Sequence, residues 1–302
     1  MNFSKLEAIK CPTPFREIKD IEEQFGVRLI VKEDYQTHPV ISGNKWRKLK
    51  GNLLHIQSQG YEGIISFGGA HSNHLYALAG IRHLLQIPVI MLVRGDGFDP
   101  QNETLTYAKE NGVELYFIDR AAYREKEGGE IASKIICEFP NYLVIPEGGS
   151  NQFALAGIQE LYAEIKEQVP DYSHLVLSMG TGGTAGALLS SLKNDRSQIV
   201  VYPALKGDWM EAEIINWTKL FNGYEAQVSN LLTLRSNYHF GGYGKIPSNL
   251  LVFIDEIKIK YDLSLDPVYT GKAFYGLMAD IKNGMYKPGD ILVFIHTGGL
   301  RK

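Results

Sequence analysis

Short runs of aliphatic and β-branched residues alternate along this chain with longer segments whose apolar positions recur at helical spacing. GIISF (63–67) reads as a strand running into Gly68–Gly69, and HSNHLYALAGIRHLLQ (71–86) as the helix after it. PVIMLV (88–93) is the next strand, NETLTYAKENG (102–112) a helix stopped by Gly112, and VELYFI (113–118) a strand. AAYREKEGGEIASKIICEF (121–139) is mostly helical and NYLVIP (141–146) is again strand-like. A second block repeats the alternation with helix 153–169, strand HLVLSM (174–179), helix TAGALLSSLK (184–193) and strand QIVVYPAL (198–205). The chain closes on DILVFIHTGG (290–299), an apolar strand ending in glycines. Such repetition predicts an α/β protein with parallel sheets flanked by helices. No Pro- or Ser-rich linker separates the two blocks, so the chain is expected to cross between lobes, and no internal repeat is found.

Length and charge narrow the function. The 302 residues suit one large domain or two medium ones. A net charge of −3 gives nucleic-acid or anionic-membrane binding no electrostatic support at the level of the whole chain. The longest apolar runs, such as IPVIMLV (87–93), fall far short of a membrane span, and MNFSKLEAIK lacks the apolar core of a secretory signal. A soluble cytoplasmic protein is the expectation. Cys11 and Cys137 make neither a disulfide framework nor a CxxC pair, and each is expected to be a small buried hydrophobe.

Glycine stands out at 31 residues, above the usual ~7% and without a Gly-X-Y period. It clusters where strands meet helices. After HLVLSM, the turn Gly180-Thr181-Gly182-Gly183-Thr184 opens a helix. Glycines let several backbone N–H groups face one point, and the helix N-terminus adds partial positive charge. Together they make a cradle for a phosphate or another small anion. The turn is neither a Walker loop nor GxGxxG, and a bare strand–helix turn accounts for it equally well. SFGGAHSNH (66–74) repeats the design, with Ser72, Asn73 and His74 at the helix start. There Ser72 is first of all an N-cap, and alternatively a group beside a bound carboxylate. His71 and His74 have no acidic partner at helical spacing, so no metal site is expected.

SGNKWRKLKGN (42–52) sets Lys45 after Gly43–Asn44 in a stretch with four cations, among which Lys48 and Lys50 read as a solvated face. A lysine desolvated among cations has a lowered pKa and forms Schiff bases. Pyridoxal phosphate needs such a lysine, a phosphate cradle and a carboxylate site, and the sequence offers one candidate for each.

Taken together, SGNKWRKL (42–49), SFGGAHSNH (66–74), PEGGSN (146–151), GTGGTAGALL (180–189), GGYGKIP (241–247), DPVYTGKA (266–273) and HTGG (296–299) resemble the fold-type II pyridoxal-phosphate enzymes. The likeness is to the branch holding 1-aminocyclopropane-1-carboxylate deaminase and D-cysteine desulfhydrase, and it runs in family order over nearly the whole chain. It implies a tryptophan synthase β-like α/β fold, with residues 1–47 and 153–302 as a large cofactor-binding domain and 48–152 as a small one. It implies that Lys45 is the Schiff-base lysine, that Asn73 meets the cofactor's phenolic oxygen, and that Gly180, Thr181, Gly182, Gly183 and Thr184 hold its phosphate with charge from Lys48. Tyr269 would lie against the pyridine ring, Tyr243 would be a second active-site tyrosine, and Ser72, Asn73 and His74 would take the substrate carboxylate. A homodimer is implied as well.

Departures from the family pattern bear on substrate. The deaminase pattern has Glu after the ring tyrosine; this chain has Thr270, as D-cysteine desulfhydrases do. A threonine hydroxyl is expected to hydrogen-bond the ring nitrogen without protonating it, which suffices for β-elimination and argues against cyclopropane opening. Arg94–Gly95 replaces an acidic-Asn pair, and His71 stands where the family has glutamine. The expectation is a lyase or deaminase of small amino acids, with D-cysteine-type elimination ahead of ring opening. Its rivals are a pyridoxal-phosphate binder without turnover and a nucleotide-binding α/β protein in which Lys45 is ornamental.

Overall fold

A computed structural model describes residues 2–192, 195, 197–221 and 228–301. In chain order the elements are β1 (Phe15–Ile18), α1 (Lys19–Phe25), β2 (Arg28–Lys32), α2 (Asn44–Gln59), β3 (Gly63–Gly69), α3 (Asn73–Leu85), β4 (Val89–Arg94), α4 (Glu103–Glu110), β5 (Glu114–Ile118), α5 (Glu130–Glu138) and β6 (Tyr142–Ile145). They continue with α6 (Ala154–Gln168), β7 (His174–Met179), α7 (Gly183–Ser191), β8 (Gln198–Pro203), α8 (Met210–Leu220), β9 (Leu232–Leu234), α9 (Ser248–Tyr261), α10 (Thr270–Lys282) and β10 (Ile291–Ile295). Two compact units result, one of Met1–Lys10 with Lys45–Gly157, the other of Cys11–Asn44 with Ile158–Lys302. The chain passes from one to the other within α2 and within α6. The first ten residues group with the smaller unit, where the Asn2 N–H donates to the Leu85 carbonyl at 3.1 Å.

The smaller unit is built on a four-stranded parallel sheet in the order β5-β4-β3-β6. Burial on both faces explains why GIISF and VIMLV read as unbroken apolar runs. On one face Ile65, Phe67, Ile90 and Leu92 pack against Tyr123, Ala132 and Ile135. The helix expected over 121–139 is a 3-10 turn (Ala122–Gly128) followed by α5, because Lys126 sits at φ 50° and Gly128–Gly129 interrupts the periodicity. α2 and the start of α6 meet at two glycines. A Cβ on Gly51 would collide with the Phe153 carbonyl, and one on Gly157 with the Arg47 carbonyl.

The larger unit holds a six-stranded sheet in the order β1-β2-β10-β7-β8-β9, parallel except for the β1–β2 pair. Its core joins Leu29, Val31, Val176, Leu292 and Phe294 from the sheet to Ile21, Ile254, Phe274 and Leu277 from helices. β10, from the chain's end, lies between β2 and β7, so the turns after β7 and β10 leave the same carboxyl edge side by side. The helix expected over 184–193 starts at Gly183 and ends at Ser191; Lys193 lies outside the described residues. Both cysteines are exposed rather than buried. Cys137 lies on the outer side of α5, whose inner side is taken by Ala132 and Ile135. Among the described residues no helix is long and apolar enough to cross a membrane.

Candidate active site

The larger unit holds the cradle. β7 ends at Met179, and Gly182, at φ 81°, takes the N-cap position of α7. No side chain caps this helix, so its first N–H groups are not spent on a capping oxygen. Gly180 is required by a close approach, since a Cβ there would stand 3.0 Å from the Tyr269 ring. A side chain at that point would fill the cradle. Thr184 is buried and accepts from the Asn44 side-chain amide at 3.2 Å, while the Thr181 carbonyl accepts from the Trp217 indole at 3.0 Å.

The SGNK turn is held from the same edge. The Asn44 N–H donates to the Thr297 carbonyl at 3.1 Å, and Gly43, at φ 57°, lies so close that a Cβ would strike that carbonyl. Beside it the hydroxyls of Ser178, at the end of β7, and Thr297, just past β10, are 3.4 Å apart and each residue is 7% exposed. Sequence reasoning passed over both. The signal was present in the HTGG motif, but strand pairing alone put its threonine beside Ser178.

Thr270, expected to meet the ring nitrogen, has hydrogen-bond partners within its own turn. It is fully buried, its hydroxyl donates to Asp266 at 2.7 Å, and it accepts the Asp266 N–H at 2.9 Å. The Asp266 carboxylate also accepts the N–H groups of Val268, Tyr269 and Thr270 and so caps α10. A hydroxyl has one proton, and here it is committed, so Thr270 has none to donate to a ring nitrogen. Tyr269 packs edge-on with Tyr243, ring centroids 6.0 Å apart.

The smaller unit holds the cations and the second turn. Lys45 is half-buried near the start of α2. Lys48 and Arg47 are buried and Lys50 is half-buried, so the stretch is no solvated face. The Lys48 ammonium donates to Ser150 at 3.0 Å and has no carboxylate partner among the described residues. Burial, and then the charge of Lys45, hold its pKa well below the usual lysine range. Ser72 is the N-cap of α3, accepting from the N–H groups of His74 and Leu75 at 3.1 and 3.4 Å. Asn73 is the first residue of that helix and half-buried.

His74 serves the scaffold with its backbone and its ring. The N–H goes to Ser72 and the ring is buried. Ser66 donates to the Ile145 carbonyl at 2.6 Å, so at 2.8 Å its oxygen accepts from the His74 Nε2–H. Nδ1 is then a buried lone pair without a partner. Desolvation first, then Lys45 and Lys48, push the imidazole pKa well below its usual value, so the ring is neutral. His71 lies 3.3 Å from the Asn102 amide, and exposed Arg94 stands over the Tyr123 ring at 5.7 Å. Among the described residues no group of His, Cys, Asp or Glu could hold a metal ion.

These features fit pyridoxal phosphate. The uncapped glycine turn suits its phosphate, the Tyr269 ring beside Gly180 suits a flat heterocycle, and Lys45 and Lys48, whose charges act on each other and on neutral His74, suit an anionic ligand.

Comparison with known proteins agrees. The family described as pyridoxal-phosphate dependent enzyme matches residues 7–298. A protein of Pyrococcus abyssi, provisionally named a 1-aminocyclopropane-1-carboxylate deaminase, is 32% identical over 99% of this chain and 92% of its own length. The D-cysteine desulfhydrase of Klebsiella pneumoniae is 27% identical over 98% and 94%. A crystal structure of an ACC deaminase homologue superposes with a TM-score of 0.81 at 28% identity, covering 99% of this chain and 94% of that one. Matched almost end to end in sequence and fold, the chain belongs to the pyridoxal-phosphate dependent enzymes, with pyridoxal phosphate as its cofactor and 1-aminocyclopropane-1-carboxylate deaminase and D-cysteine desulfhydrase among its relatives.

Proposed function

We propose that this enzyme catalyses β-elimination from a small amino acid of the D-cysteine type, releasing sulfide and leaving an enamine that hydrolyses to pyruvate and ammonia. Bound pyridoxal phosphate supplies an electron-accepting ring conjugated to the substrate's α-carbon. Lys45 would hold the cofactor and, when free of it, would take the α-proton on Nζ. The α3 start, with the Ser72 O–H, holds the substrate carboxylate. The Gly180–Thr184 turn holds the phosphate, and Tyr269 and Tyr243 flank the reacting group. Homodimeric assembly, on the family likeness, and a cytoplasmic setting complete the proposal.

The observation that supports elimination is which polar groups the larger unit would have free for a ring nitrogen once the cofactor is bound. The larger unit presents the paired hydroxyls of Ser178 and Thr297, while the nearby carboxylate, Asp266, is taken up by three N–H groups and the Thr270 hydroxyl. Neutral hydroxyls leave the ring a weaker electron sink. Sulfide leaves readily as charge builds, whereas opening a cyclopropane expels carbon and leans harder on the sink. The 32% identity to the Pyrococcus protein favours ring opening as the second reading.

A screen of D- and L-cysteine, β-chloro-D-alanine, serine and 1-aminocyclopropane-1-carboxylate tests the choice. Pyruvate from D-cysteine or β-chloro-D-alanine, with little 2-oxobutanoate from the cyclopropane, is the expected result. Efficient ring opening would overturn it, and absence of any turnover would favour a cofactor-binding protein.

A further inference from the structure

We propose that Lys272 is a positioning residue for the reaction: its buried ammonium clamps the turn at 239–242 so that Tyr243 stands against Tyr269. This rests on the assignment of Tyr243 and Tyr269 to the reacting site. Lys272 lies on α10 and is 1% exposed, yet no carboxylate pairs with it among the described residues. Its Nζ donates instead to the carbonyls of His239, at 3.0 Å, and Gly242, at 2.8 Å. Burying this ammonium costs desolvation, which the nearby Asp266 charge and the two charge-assisted bonds to carbonyls offset, and only those bonds reach the turn.

Those two carbonyls also close the turn. His239 accepts from the Gly242 N–H at 3.0 Å and Gly242 from the Lys245 N–H at 3.2 Å. From His239 onward the backbone runs through the left-handed region at Phe240 (φ 54°), Gly241 (91°) and Gly242 (116°), and again at Gly244 (69°). Phe240 pays a steric cost there that a free loop would relax. Tyr243, 45% exposed, emerges from this turn and packs edge-on against the Tyr269 ring, its one aromatic neighbour among the described residues. Its position therefore depends on the clamp. The other end of the clamp is fixed, because Asp266 caps α10 and the Gly271 N–H donates to the Asp266 carbonyl at 2.7 Å. Tyr269 and Lys272, one helical turn apart, thus hold the two tyrosines in register from one rigid helix start.

The test compares holoenzyme carrying Lys272→Met, Lys272→Arg, Tyr243→Phe and the Lys272→Met/Tyr243→Phe pair. Trypsin nicking after the exposed Lys245 is expected to be about tenfold faster in Lys272→Met, as the turn opens locally. Lys272→Met and Tyr243→Phe should each lower kcat for pyruvate release by about 10- to 100-fold with little change in KM. The double variant should fall little below the worse single one, because both remove the same arrangement. Lys272→Arg keeps the charge and the donors and should recover most of the loss; it serves alone if the Met variant does not fold, with nicking and kcat then between wild type and Tyr243→Phe. Unchanged nicking, or losses that multiply in the double variant, would overturn the clamp. Normal kcat in Tyr243→Phe, even with faster nicking, would overturn instead the reading of the site on which the clamp's role in the reaction rests.

Discussion

The Thr270 hydroxyl gives its proton to the Asp266 carboxylate at 2.7 Å and accepts that residue's own N–H at 2.9 Å. This reciprocal pair makes the start of α10 a closed unit, and α10 in turn aims Tyr269 at the glycine turn and Lys272 at the Tyr243 loop. Thr270, the position expected to meet the ring nitrogen, is thereby joined to the helix that carries Tyr269.

Replacing Thr270 with valine keeps the shape and removes the hydroxyl. The Asp266 N–H then loses its acceptor in a buried place, at a cost of about 1–3 kcal/mol. Urea unfolding should register this loss, while the absorbance of the bound cofactor keeps its position. A marked spectral shift with unchanged stability would return Thr270 to the ring nitrogen.

Lys45→Ala should keep the fold and lose the covalent cofactor. Borohydride reduction of the wild type followed by peptide mapping should put the pyridoxyl label on Lys45. Label on Lys48 or Lys272 would contradict the assignment; both are buried with their ammonium groups already donating to neighbours.

Ser72→Ala separates two roles of one oxygen. The cap accounts for about 1 kcal/mol of stability. Because the oxygen already accepts two N–H groups, its proton is what it can offer a substrate carboxylate. Loss of that proton donor should raise KM and lower kcat/KM by about tenfold or more. A lowered Tm with unchanged kinetics would leave only the cap.

Acid should destabilise the protein through its buried histidines. His74 is neutral in the fold because of desolvation and the charges of Lys45 and Lys48, and burial also lowers the pKa of His38, His174 and His296. The unfolded chain binds these protons near pH ~6.5 and the folded one does not. Stability is therefore complete above that pH and falls as pH drops toward the depressed folded values. His74→Gln keeps a donor for Ser66 without titrating, so urea midpoints at pH 5.5 and 8 should differ less than in the wild type. An equal difference would remove His74 from the acid response.

Much of the architecture could be read along the chain. Apolar runs located β3, β4 and β7 within a residue or two and the start of β10 within one, though β10 ends at Ile295 rather than in the glycines, because strands buried on both faces must be continuously apolar. The SGNK, SNH and GTGG turns were legible for a related reason: they put glycine and small polar residues where backbone, not side chain, meets a ligand. Segment 206–265 yielded no elements, although α8 and α9 lie there. α9 carries exposed Leu251, Val252 and Ile259, which blur its apolar stripe.

Residue types and local spacing offered candidates for the cofactor chemistry, namely one lysine, one anion cradle and one helix start, and the family likeness joined them into a pyridoxal-phosphate reading. What they could not settle is which hydroxyl keeps its proton. Thr270 and Thr297 are equivalent in sequence, each beside a glycine in a turn. Only the fold closes Thr270 onto Asp266, four residues back along the same chain, and sets Thr297 beside Ser178 by pairing β10 with β7. Hydrogen-bond direction depends on which partners are nearest in space, and for the second pair those come from strands far apart in the chain.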